Sequence, residues 1–370
     1  MKTRIKTVLL LILSFLFLNA CNTIKEETIK IGVIAPLTGD GARYGEAMKS
    51  GIDIAVEELN EDNGFHGKKI VVIYQDDKFS PKEALNGFNY LKDVAKVPVI
   101  FGPAGSGISK LLAPYANNSK IVLFSSISTS DTLSSAGEYF FRNISANSIA
   151  AKSVSNFLLN DLKLNTVGVF YENNEYGINM NKVFKSSFTN GNISFNLPYE
   201  FGQTDFRSSI TSIKNKKIDV IFIQGTTKNI ANITKQLREN KINCPIITGD
   251  GGYGDEIEQI AGTSANGLYC TLPAIEDTLT DNYTSFKNKY IQIHNQVPDV
   301  YSVLSYDAVM MVFQSIKNEE GEISGELIKN KLHESKYSGL GGEYIFNSNG
   351  DVDKPFFIFQ YNNGKYKQIN

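Results

Sequence analysis

Three stretches of this 370-residue chain carry residue types that could hold a small ligand, and each follows an apolar run. Gly102-Pro103-Ala104-Gly105-Ser106-Gly107 follows Val97–Phe101 and opens a helical stretch around Ser109–Ala116. Phe124-Ser125-Ser126-Ile127-Ser128-Thr129 ends the next run, Ile121–Phe124. Glycines let backbone N–H groups approach a ligand, and a helix N-terminus favours an anion. Ser106 could instead cap its own helix, and the second stretch could be an ordinary Ser/Thr-rich turn. Two such loops at neighbouring run ends are harder to dismiss than one. The third stretch, Gly249-Asp250-Gly251, follows Ile246–Thr248 and offers a single carboxylate. In a closed, drier cleft a carboxylate attracts a cation far more strongly than on a surface. The competing role for Asp250 is to cap the helix that follows.

Read alone, Gly249 to Gly254 is also a G-x-G-x-x-G with Glu276 some twenty residues on, the mark of a dinucleotide-binding enzyme. Asp250 would repel a pyrophosphate there, and the helix expected over Asp255–Ala261 is short. Hydrolase chemistry fares no better, because the chain has no G-x-S-x-G and no His near a candidate Ser in the run-end loops. The three His (His66, His294, His333) and three Cys are scattered, with no C-x-x-C, which excludes zinc-site spacing and a disulfide scaffold. Cys244 and Cys270 read as free, buried thiols. No metal, no cofactor and no enzymatic activity are expected.

The elements that must position these loops alternate along nearly the whole chain. Apolar runs stand at Ile29–Ala35, Ile70–Tyr74, Val97–Phe101, Ile121–Phe124, Val167–Tyr171, Val220–Ile223, Ile246–Thr248 and Leu268–Thr271. Most are continuous rather than alternating, as for strands covered on both faces. Between them lie amphipathic helices: Ala47, Gly51, Ile54, Ala55 and Leu59 share a face, as do Val154, Phe157, Leu158 and Leu162, and then Phe206, Ile210 and Ile213. Tyr283, Phe286, Tyr290 and Ile293 follow a 3-4-3 spacing within a long helical stretch, Asp281 to Leu332. The rhythm restarts near residue 150 after a possible edge strand, Tyr139–Arg142, and the chain closes with runs at Glu343–Phe346 and Pro355–Tyr361. This is an α/β protein with doubly wound parallel sheets, whose ligands are expected beyond the C-terminal strand ends.

Residues 1–20 are read as an export signal: Lys2, Arg4 and Lys6, an apolar core of about eleven residues, then a small residue. That core is too short to span a bilayer as a stable helix. Leu18-Asn19-Ala20-Cys21 resembles the lipobox of bacterial lipoprotein precursors, which implies a lipid on Cys21 and a tether over 21–28. The protein is then exported and anchored to a membrane, facing the periplasm or the cell exterior. Without its leader the chain holds 34 Lys+Arg against 39 Asp+Glu, a charge of −5 that argues against nucleic acid as a partner.

Several segments in order resemble the solute-binding proteins of branched-chain amino acid transporters, the type I periplasmic binding family. They are Ile29 to Gly39 with Tyr44-Gly45, Gly51 to Asn60 with Gly64 to Gly67, Asp76-Asp77 with Pro81, Tyr176-Gly177, Asp205 to Ile213, and Gly249 to Gly251. The resemblance covers roughly Ile29 to Tyr361 and implies two lobes joined by three crossings, one of 28–145 with 275–337 and one of 146–274 with 338–370. Closure about such a hinge is the general behaviour of periplasmic binding proteins. The resemblance also implies the site. Ser106 donates to a ligand carboxylate, the Ile127 carbonyl accepts from the ligand ammonium, and Thr129, beside Ser128, offers its amide and hydroxyl. Asp250 faces the ammonium, and Tyr176 covers the ligand from the second lobe or else is a half-buried core residue. Tyr44, Ala104, Gly105, Thr226 and Tyr301 shape a side-chain pocket, which Thr226 and Gly105 would make wider or more polar than one built for leucine. The implied partners are a small ligand, most simply an amino acid, and ABC transporter permease subunits, with the binding protein a monomer. A receptor of the same fold that signals occupancy to a membrane sensor is the rival reading.

Overall fold

The computed structural model describes residues 27–61, 63–273 and 280–369. The leader and Cys21 lie outside the described residues, and no helix among them is long and apolar enough to cross a membrane. Two main sheets carry the chain. The first has strand order β2-β1-β3-β4-β5, all parallel, from β1 (Thr28–Ala35), β2 (Lys69–Asp76), β3 (Val99–Phe101), β4 (Val122–Ser125) and β5 (Phe140–Arg142). Its two faces go to two cores. Ile31, Val33, Phe101 and Phe124 pack into the main core, while Ile34, Ile100, Leu123 and Phe140 pack into a second cluster with Phe88, Leu91 and Leu112. Alternate residues of one strand thus serve opposite layers, and that explains the unbroken apolar runs.

The second sheet has order β14-β13-β10-β9-β8-β6-β7. Its parallel part is β6 (Thr166–Glu172), β7 (Asn192–Tyr199), β8 (Val220–Gln224), β9 (Ile246–Thr248) and β10 (Tyr269–Pro273). Two further strands extend this parallel part at its edge. β13 (Phe356–Asn362) runs antiparallel to β10, and β14 (Lys365–Gln368) returns antiparallel to β13 across the two-residue turn Asn363-Gly364. The run expected at Glu343–Phe346 joins neither main sheet: β12 (Gly342–Ile345) pairs with β11 (Lys336–Gly339) in a hairpin of their own. That hairpin and its flank pack on the first-sheet side, with the Tyr344 hydroxyl 2.8 Å from Asp307 Oδ2 and the Phe346 ring against Phe124 and Phe141.

The long helical stretch breaks into three helices, Asp281–His294, Val300–Ser315 and Gly325–Glu334. Local chemistry dictates the breaks. Asn295 closes the first helix with φ 54°, and Asp299, after Pro298, caps the second by accepting from Ser302 N–H at 2.9 Å. Ser324, after Gly321 at φ 104°, caps the third through Leu327 N–H at 3.2 Å. The 3-4-3 seam ends at Tyr290, since Ile293 is exposed. The middle helix is buried on nearly every face and packs against the helix Ala42–Glu61.

Candidate functional site

The C-terminal ends of the strands in both sheets converge on one cavity of ≈ 280 Å³. Helix α3 (Ser106–Ser119) opens onto it, placing Gly105, Ser106, Gly107 and Ile108 in its wall. The first N–H groups of a helix have no intrahelical acceptor, so this wall presents donors. Ser106 is not the helix cap: Gly105 holds that position, and the Ser106 hydroxyl instead accepts from Ser130 N–H at 3.3 Å. Ile127 and Ala104 also line the wall.

Ser128 and Thr129 do not border the cavity. Ser128 Oγ donates toward the Pro103 and Ala104 carbonyls at 3.2 and 3.1 Å and lies 2.8 Å from Ser109 Oγ, so it clamps the neighbouring glycine loop from behind. The Thr129 hydroxyl is buried without a partner among the described residues. Beneath both loops Arg142, wholly buried, donates to the Ser130 carbonyl at 2.9 Å and pairs with Asp351 at 2.6 Å.

The opposite wall is built on the second sheet. Asp250 is buried, and its two carboxylate oxygens accept from Tyr176 and Tyr301 hydroxyls, each at 2.8 Å. Burial raises the Asp250 carboxyl above its ordinary range, and the two tyrosine hydrogen bonds pull it back in part. Asp250 therefore caps no helix; the following helix (Asp255–Ala261) starts after Gly254 with no side-chain cap. The G-x-G-x-x-G spacing serves packing: a Cβ on Gly251 would lie 2.0 Å from the Gly225 carbonyl oxygen. Tyr176 and Tyr301, 125 positions apart in the chain, thus close over Asp250.

Tyr44 lines the cavity and lies 3.2 Å from Thr227 Oγ1 across the cleft. Thr226 lines it too, but its hydroxyl is committed to Glu172 Oε2 at 3.0 Å, with its N–H on the same oxygen at 2.9 Å. Glu172 is buried and its carboxyl raised by that burial. The Thr226 hydroxyl also lies 2.9 Å from Asn229 Oδ1, so its polar atom is held by the protein's own groups. Phe79, Pro81, Ile108 and Phe201 supply an apolar end that sequence reasoning missed. Phe79 and Phe201 sit in loops with no periodic signal, 122 positions apart. Behind the site, the Arg43 guanidinium pairs with Asp299 at 3.2 Å and lies over the rings of Tyr44, Tyr253 and Tyr301.

Rim contacts tie the lobes together around this cavity. Lys228 pairs with Asp40 at 2.6 Å and Lys110 with Glu175 at 3.0 Å, while Thr132 Oγ1 donates to Glu175 at 2.7 Å. Among the described residues no group of three His, Cys, Asp or Glu could hold a metal ion. Cys244 and Cys270 are free thiols.

The profile of a periplasmic binding protein family matches residues 28–365. The Leu/Ile/Val-binding protein homolog 3 of Brucella melitensis is 24% identical over 343 residues, 91% of this chain and 92% of that one. Among solved structures, the substrate-binding protein of the Streptococcus pneumoniae branched-chain amino acid transporter, in complex with isoleucine, superposes with a TM-score of 0.86 at 29% identity, covering 92% of this chain and 98% of that chain. A solute-binding protein of an R. palustris ABC transporter, in complex with benzoate, gives 0.85 at 19% identity over 92% of this chain and 95% of that one. The last likeness is one of fold.

Proposed function

The chain belongs to the periplasmic binding protein family, and from that premise we propose that it captures a free α-amino acid with an apolar side chain between its lobes and passes it to an ABC transporter permease. One observation carries this reading. A single small cavity has a buried carboxylate, Asp250, in one wall and the N-terminus of α3 with Ser106 in the other. A zwitterion satisfies both: its ammonium offsets the burial of Asp250, and its carboxylate meets N–H and O–H donors. At ≈ 280 Å³ the cavity lies just below the usual range of ligand pockets, about 300–1,000 Å³, which suits a ligand the size of one amino acid. In this reading Ser106 and the first N–H groups of α3 face the carboxylate, the Ile127 carbonyl and Asp250 face the ammonium, and Tyr44, Tyr176 and Tyr301 enclose the ligand, while Ser128 and Thr129 stand behind the wall. The protein does no chemistry on it.

A simple aryl acid, in line with the benzoate-bound relative, would suit the aromatic walls. It would leave Asp250 buried without a cation, which costs free energy, so the amino acid is favoured. The remaining parts of the reading follow from the sequence and its family resemblance: export, a lipid on Cys21, a monomer, and two lobes, one of 28–145 with 275–337 and the hairpin at 336–345, the other of 146–274 with the closing strands.

Protein beginning at Lys25, refolded to remove retained ligand, tests this by thermal shift across the natural amino acids and benzoate. Branched aliphatic amino acids at 100 times their Kd should add about 2.7 kcal/mol of stability. Benzoate should add far less. No shift with any amino acid would overturn the reading.

A further inference from the structure

We propose that Phe79, closing against Phe201, is a gate that sets how long a ligand side chain the cavity accepts. The proposal rests on the amino-acid reading above and names the residue that decides its specificity. Phe79 borders the cavity beside Tyr44, with ring centroids 6.1 Å apart at 71°. On its other side it meets Phe201, from the loop after β7 in the second lobe, at 5.5 Å and 31°. The pair therefore spans the cleft. Phe201 is 38% exposed and Phe79 half-buried, whereas Asp250, Ser106 and Tyr301 are buried. The ring pair is the solvent end of a chamber whose charged end is deep.

The backbone at Phe79 is unusual. Lys78 has φ 51° and Phe79 φ 56°, two successive non-glycine residues in the left-handed region. For a bulky residue this conformation is strained and persists only where the surroundings impose it. Here they do. Asp77 Oδ1 accepts from Phe79 N–H at 2.9 Å, the Asp77 carbonyl accepts from Ser80 N–H at 2.6 Å, and Asp77 N–H is held by the Ala35 carbonyl at 3.0 Å. The ring then slots between two glycines. A Cβ on Gly41 would lie 1.9 Å from Phe79 Cδ2, and one on Gly105 would lie 3.0 Å from Phe79 Cε1. Gly105 thus matters less as empty pocket space than as the seat of this ring. With Pro81 and Ile108 the ring forms the apolar wall that a ligand side chain must reach.

Phe79→Ala and the milder Phe79→Leu test the gate by calorimetry against two series. One is valine, leucine, phenylalanine and tryptophan; the other is benzoate, naphthoate and their non-amino analogues. Wild-type protein should favour valine or leucine. Phe79→Ala should shift the phenylalanine-to-valine affinity ratio by about tenfold or more toward phenylalanine, as lost or gained contact in an apolar pocket does. Phe79→Leu should shift it the same way by less, and ligand-free melting checks that both fold. Equal weakening of every ligand, with no change in rank, would overturn the gate and leave Phe79 as a contact between lobes. If wild type binds only the aryl acids, the amino-acid reading fails, and the gate is judged by the naphthoate-to-benzoate ratio in the same variants. Binding of neither series overturns both.

Discussion

The two walls of the cavity solve recognition with different materials. The first-lobe wall, residues 102–130, brings no formal charge to the cavity; its donors are Ser106 and the N-terminal N–H groups of α3. Four of its serine hydroxyls are spent internally: Ser125 Oγ and Ser128 Oγ on the Pro103 carbonyl, Ser126 Oγ on the Leu304 carbonyl, Ser130 Oγ on Glu175. The second-lobe wall does the reverse. It buries two carboxylates, Asp250 at the cavity and Glu172 behind Thr226, both raised by burial. A dipolar wall can be completed within the protein before a ligand arrives. A charged wall is left short of a counter-ion and gains most on binding. The comparison predicts a first wall that governs stability through its scaffold and a second wall that governs affinity.

Arg142 should show the largest effect. It is buried beneath the first wall and pairs with Asp351, so Arg142→Met leaves that carboxylate alone and should cost about 3–5 kcal/mol in denaturant unfolding. A loss below 1 kcal/mol would mean that the first wall does not depend on this scaffold.

Asp250→Asn comes next, and it should act on affinity. Removing a charge-assisted bond of about 1.5–3 kcal/mol weakens amino-acid binding roughly 10- to 150-fold by calorimetry. Ligand-free stability should hold or rise, and its pH dependence identifies the residue. The folded-state pKa is raised, so folded protein holds this proton more tightly than the unfolded chain. The resulting stabilisation is full below the unfolded value and is lost as pH rises through the folded one; Asp250→Asn should flatten that fall. Ligand binding runs the other way, weakening as acid neutralises Asp250. Equal affinity in the Asn variant would remove the asymmetry between the walls.

Ser106→Ala should show the smallest effect. The ligand carboxylate keeps the helix N–H donors when this hydroxyl is lost, so the net cost should be about 0.5–1.5 kcal/mol, roughly two- to twelvefold in affinity. Helix stability should barely move, since Gly105 rather than Ser106 occupies the cap position. A clear drop in ligand-free melting with unchanged Kd would return Ser106 to a structural role.

What the sequence alone determined follows from short-range physics. Apolar runs such as Val167–Tyr171 and Val220–Ile223 need cover on both faces, and the loops after them must reach one edge of a parallel sheet. Asp250, Ser106 and Tyr176 could therefore be brought to one cavity from their positions after such runs. The edge strand β7 escaped this reading because it is covered on one face and carries Asn196 and Pro198, which an edge tolerates. Lys365 and Lys367 hide β14 in the same way. Tertiary structure alone decided where the side chains of the loops point. Ser128 turns from the cavity because Pro103 and Ala104 offer carbonyls behind it, and Thr226, though at the wall, has its hydroxyl held by Glu172 and Asn229. The apolar gate needs Phe79 and Phe201 to meet across the cleft. A loop side chain goes to whichever acceptors or rings its packed neighbours leave open, and those neighbours come from distant parts of the chain that only folding brings together.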